Sequence, residues 1–154
     1  MATPISEDQF ISEVRGFMRD HPDLNQLIYG EESTNRQIRF AAWLAIDEWN
    51  VRPPVSSATF ATFPSRFILL FLTIIHLLTS VGLLKARNSI TYNDGGFSVQ
   101  DNEAQERLYK QWIQVLRAQV DPVMRDLKIS LNIAGGWGAG VGSTYGQLHG
   151  WYGS

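Results

Sequence analysis

Residues Phe67 to Leu84 read FILLFLTIIHLLTSVGLL, 18 positions without a charge, held between Arg66 and Lys85. As an α-helix this stretch spans about 27 Å, close to the thickness of a hydrocarbon core. Two readings follow. One is a single transmembrane span. The other is a central core helix covered on all sides, because a helix apolar all round needs apolar cover all round. Thr73, His76, Thr79, Ser80 and Gly82 interrupt the run. A histidine near mid-bilayer is costly. The flanking sequence also carries amphipathic helical patterns rather than short loops. These points favour the core helix, with further cover supplied by neighbouring subunits.

Outward from that run, the chain reads as helices. Ser6 caps a first helix, with Gln9 as its capping-box partner. Phe10, Val14, Phe17 and Met18 form its apolar stripe, and Pro22 stops it. Ser33 or Thr34 caps a second helix with the stripe Ile38, Ala41, Ala42, Ala45 and Trp49. Arg36, Arg39, Asp47 and Glu48 lie on its other face. Asn50 and Pro53-Pro54 end it. The connection from Arg52 to Ser65 is long for a compact domain. Its Phe60 and Phe63 are either anchors to the core or contacts to a neighbour. Ser65 caps the apolar helix, which is expected to run to about Asn88.

A β-hairpin is expected near 90–99. Ile90-Thr91-Tyr92 and Phe97-Ser98-Val99 flank Asn93, Asp94, Gly95 and Gly96, and Asp-Gly suits a type I′ turn. Asp101 or Asn102 then caps a last helix, whose apolar face is Tyr109, Trp112, Ile113, Leu116 and Val120. Pro122 kinks or restarts it, and Gly135-Gly136 ends it. From 135 to 154 there are eight glycines, with Trp137, Tyr145, Trp151 and Tyr152 between them and no charge. Glycine disfavours regular structure through backbone entropy. The segment reads as an extended arm: either a loose tail or an arm that docks on another subunit. The expectation is a mainly α fold: a helical bundle over 1–134 with a long central apolar helix, the small hairpin, and the arm over 135–154.

Composition excludes some chemistry. The chain has 154 residues, 13 Lys+Arg against 15 Asp+Glu, a net charge of -2 and no cysteine. That balance argues against a dedicated nucleic-acid binder. Without cysteine there is no disulfide, no thiolate nucleophile and no thiolate metal site. The opening Met1-Ala-Thr-Pro-Ile-Ser has neither a basic nor an apolar region, so it does not read as a secretory signal. His21, His76 and His149 lie far apart and show no metal-ligand spacing. His76 reads as a satisfied core residue, or, in a minor reading, as part of a ligand pocket. Asp47 and Glu48 are adjacent and point to different faces. Gly136-Trp-Gly138-Ala-Gly140 follows a helix and precedes none, so it is no phosphate cradle. No catalytic residue, metal site, cofactor or small-molecule substrate is indicated.

Three stretches carry a resemblance. Asp47-Glu-Trp-Asn50 with Pro53-Pro54 closes a helix, Ala86-Arg-Asn88-Ser ends the apolar helix, and Thr91-Tyr-Asn-Asp-Gly-Gly-Phe-Ser-Val99 precedes a charged helix. In this order they resemble small structural proteins of tailed-bacteriophage virions, of the neck or head–tail connector (adaptor) type. The resemblance covers roughly residues 30 to 135. It implies a non-enzymatic protein of the virion, assembled in the host cytoplasm as a homo-oligomeric ring. Its implied partners are copies of itself and portal or other neck and tail proteins, with passive contact to DNA in a channel. Arg66, Lys85 and Arg87 then either face that channel or are solvated helix ends. Phe60, Phe63, Trp137, Tyr145, Trp151 and Tyr152 are the expected subunit or partner contacts. The alternative is a single-span lysis or envelope protein that uses residues 67–84.

Overall fold

The computed structural model describes residues 6–20, 31–91 and 99–140. They form four helices: α1 (Glu7–Met18), α2 (Asn35–Val51), α3 (Arg66–Thr91) and α4 (Val99–Gly140). The helix starts follow local chemistry. The Ser6 side chain accepts from the Gln9 N–H at 3.2 Å, with Glu7 and Asp8 in the first turn of α1. Thr34 and Gln37 form a reciprocal capping box on α2, which satisfies two backbone donors the helix cannot pair internally. α1 ends at Met18, four positions before Pro22, because Arg19 takes a left-handed conformation at φ 54°. The Asp20 N–H then returns to Arg15 O at 3.0 Å, closing the last turn.

The apolar run lies at the centre. α3 packs between α2 and α4, and α1 lies over α2 and α3. From Ile68 to Leu77 nearly every side chain is buried, including Leu72 and Thr73. Thr73 donates its hydroxyl to Leu69 O at 2.7 Å, so a polar group sits in the core without an open valence. α2 contributes Ile38, Ala41, Ala42, Ala45, Ile46 and Trp49. Its alanines keep this face flat and let α3 approach closely. α4 contributes Leu116, Val120, Met124 and Lys128, each one turn after the last. Burial fades beyond Leu78, and Leu83 and Leu84 are exposed. The first part of the run is thus covered by this chain's own helices.

Four expectations need correction. Ile90 and Thr91 belong to α3 and Val99 opens α4, so the outer residues of the expected hairpin are helical. Two three-residue strands make a marginal hairpin, whereas lengthening an existing helix is cheap per residue. The turn Asn93, Asp94, Gly95 and Gly96 lies outside the described residues. α4 starts at Val99 rather than at an Asp101 or Asn102 cap, and it continues through Pro122 and past Gly135-Gly136 to Gly140. The first six positions of the expected arm are therefore helical. Finally, Trp112 does not join the core; its side chain is 59 % exposed.

The Asn50 side chain pins the middle of the loop from Arg52 to Ser65. Asn50 Nδ2 donates to Ala58 O, and Asn50 Oδ1 accepts from the Ala58 N–H, both at 2.8 Å. That clamp points two aromatic rings inward. Phe60 stands edge-on to Phe10 at 5.4 Å, and Phe63 lies 5.2 Å from Trp49.

Because Leu72 is fully enclosed between α2 and α4, Leu72→Ala is expected to cost about 2–5 kcal/mol. Leu83→Ala, at an exposed position of the same helix, is expected to cost less than about 1 kcal/mol. Urea unfolding followed by circular dichroism measures both.

Candidate functional site

α2 and α4 do not pack directly against each other; charged side chains cross the gap beside α3. Glu48 is the hub. It lies one turn before Arg52, and both sit near the C-terminal end of α2. The Arg117 guanidinium from α4 holds the Glu48 carboxylate with both of its terminal nitrogens, the longer bond being 3.0 Å. Arg52 adds a bond to Glu48 at 2.6 Å and one to Asp121 at 2.9 Å. From α3, His76 Nε2 lies 3.0 Å from Glu48 Oε2. That contact runs off the line of the ring N–H, so it is no aligned hydrogen bond. Burial pushes the Glu48 carboxyl up, but His76, Arg117 and Arg52 outweigh it and hold the group at about 2. The Arg117 guanidinium is pushed up in turn by its hydrogen bond to Glu48.

Lys128 closes the far end of the same seam. Its side chain comes from α4 and is almost wholly buried. Nζ donates to Arg52 O and, at 2.8 Å, to Pro54 O, and it stands 4.8 Å from the Trp49 ring centre. Burial pushes its pKa down, with the Arg52 charge adding to the effect. The cation therefore sits at the C-terminal end of α2, where the helix dipole is negative. It serves that helix rather than its own.

A second cluster joins α1 to α2. Asp20 accepts from the Ser33 N–H at 2.8 Å and from the Glu32 N–H at 2.5 Å. Arg15 reaches Asp20 at 3.4 Å, Glu31 at 2.8 Å and Asn35 Oδ1 at 2.7 Å. Arg66 at the start of α3 pairs with Glu13 of α1. Apart from His76 Nε2, which makes no aligned hydrogen bond, the charged groups named in these clusters are paired, which is the pattern of a structural seam. Among the described residues no set of three or more His, Asp or Glu is placed to hold a metal.

The exposed apolar surface is more telling. On α2, Phe40 and Trp43 are 63 % and 65 % exposed, with Val51 further along the same side. On α4, Trp112 and Val115 are exposed together with Leu108. Trp112 and Val115 form one wall of an open groove of about 510 Å³, and Ile74 and Leu78 of α3 form its floor. Phe17 and Met18, at the end of α1, close one side.

The sequence-predicted contacts are not brought together. Phe60 and Phe63 pack on this chain's own core, so the anchor reading describes them. Trp137 is a position in α4 whose side chain lies outside the described residues, as do Tyr145, Trp151 and Tyr152. Missed in the sequence were Phe40, Trp43 and Val115. Phe40 and Trp43 lie i, i+3 on the polar side of α2, a spacing that marks a second apolar patch. No known protein family, curated protein or solved structure matches the chain.

The Glu48 contacts set an acid limb for stability. Its folded pKa of about 2 lies below the ordinary carboxyl value of 4.5. The contribution is therefore complete above pH 4.5 and is lost as the pH falls towards 2. Glu48→Gln is expected to lower stability at neutral pH and to flatten this limb. Urea midpoints measured from pH 7 down to pH 2 on both chains test it.

Proposed function

We propose that this chain is a non-enzymatic structural subunit that assembles with copies of itself into a ring. The resemblance of its motifs to neck and head–tail connector proteins makes the junction of a tailed-phage virion, put together in the host cytoplasm, the setting for that ring. One observation carries the reading: large apolar side chains are exposed on two separate helices, Phe40 and Trp43 on α2 and Trp112 and Val115 on α4. Patches of this kind mark protein contact surfaces. Two different patches on one subunit suit a head-to-tail contact, which closes into a ring when the rotation allows. Portal, neck or tail proteins are the further partners, and DNA is a passive occupant of the channel. Trp137, Tyr145, Trp151 and Tyr152 supply contacts between subunits.

The surroundings of α3 favour this reading over a membrane span. Near the middle of the apolar run, His76 is set against Glu48, with Arg52 and Arg117 close by. A bilayer around residues 67–84 would bring those charges to mid-membrane depth, at several kcal/mol.

Electron microscopy of the purified full-length chain, without detergent, is expected to show closed rings. A monomer under those conditions, or a chain extracted only with detergent, overturns the reading. Removing residues 136–154 is expected to abolish ring docking while circular dichroism shows a folded helical body, short only of the last five residues of α4; normal docking of the shortened chain removes the arm from the interface.

A further inference from the structure

α4 outruns the body it belongs to. Among the residues of α4 whose side chains are described, Lys128 is the last buried one, and every residue from Ile129 through Gly135 is exposed. No charge occurs after Lys128. Leu131 turns towards the loop from Pro54 to Pro64 across an open cleft. Ile129 and Ile133, one turn apart, lie on the opposite side of the helix and are 45 % and 52 % exposed. Trp137 occupies the next position of the same spacing. The helix end is thus an apolar peg with no partner on its own chain among the described residues.

The groove between Ile74, Leu78, Trp112 and Val115 is its counterpart. It is apolar, its lining carries no charge, and Phe17 bounds one side. We propose that this groove receives the C-terminal end of α4 from a second copy, with Ile129 and Ile133 seated against Trp112 and Leu78. The proposal rests on the self-assembly reading above and names the surfaces that assembly uses. The peg cannot fill its own groove. Val115 and Ile133 belong to one continuous helix, 18 positions and so about 27 Å apart, and a helix does not fold back on itself. The contact is therefore between chains. Peg and groove are different surfaces, so each copy donates one and accepts the other.

The absence of native cysteine makes the test direct. The full-length double variant Val115→Cys/Ile133→Cys cannot close a disulfide within one chain. On mild oxidation it is expected to give a ladder of covalent oligomers that grows by one chain at a time, while each single variant stays uncross-linked. Ile133→Glu is expected to weaken association about tenfold or more with helical content unchanged. Rings without a ladder would overturn the peg-in-groove contact and leave the self-assembly reading standing; a wild-type chain that stays monomeric overturns both. Dimers alone, or dimers from a single variant, would show a symmetric contact and overturn the proposal.

Discussion

Burial of α3 is the constraint on which the remaining structure depends. Ile68 to Leu77 offers apolar side chains in every direction, so no single neighbour can cover it. α2 and α4 flank it and α1 lies over it. Each neighbour is shaped by that task. α2 presents alanines so that the axes can close, and α4 presents one buried side chain per turn from Leu116 to Lys128. Because the thickness of α3 separates α2 from α4, those two meet only through long side chains. Glu48, Arg52, Arg117 and Asp121 are long enough to cross that gap, which is why the charged seam lies there.

The seam selects a packing more than it stabilises one. Partly buried ion pairs lose much of their attraction to desolvation. Their geometry, however, is demanding. Arg117 engages both oxygens of Glu48 only at one rotation of α4, and Lys128 meets Arg52 O and Pro54 O only at one axial register. Apolar faces alone would tolerate sliding by a turn. The polar contacts remove that freedom and fix which residues of α4 point outward, Trp112 and Val115 among them.

Much of the body is legible in the sequence because helical periodicity and caps are local. Ser6 with Gln9, Thr34 with Gln37, and the stripe from Ile38 to Trp49 all depend on residues within a few positions. What escapes is non-local. Glu48 reads as a solvated helix charge until His76 and Arg117 arrive from two other helices. Lys128 belongs to α4, yet it caps α2 through carbonyls more than 70 positions away in the sequence. Trp112 fits the apolar spacing of α4, yet no helix covers it among the described residues and it stays exposed. Around residues 90–99 and 135–140 the short turn-forming motifs are overridden at their margins by helices that extend into them.

The peg and one wall of the groove belong to the same continuous helix, and this has a geometric consequence. Between Trp112 and Ile133 the helix is continuous and, as far as Lys128, braced by α2 and α3. The relation between the two surfaces is therefore set by the fold rather than by a linker. In the proposed assembly each added copy would repeat the same rotation and translation relative to the last. Such a repeated operator generates either a closed ring or a helical filament. In the proposed assembly, copy number would follow from the direction of α4 relative to the groove, which the Glu48–Arg117 and Lys128 contacts hold in place. The charged seam and the apolar surfaces are thus parts of one device: the first sets the angle at which the second is presented.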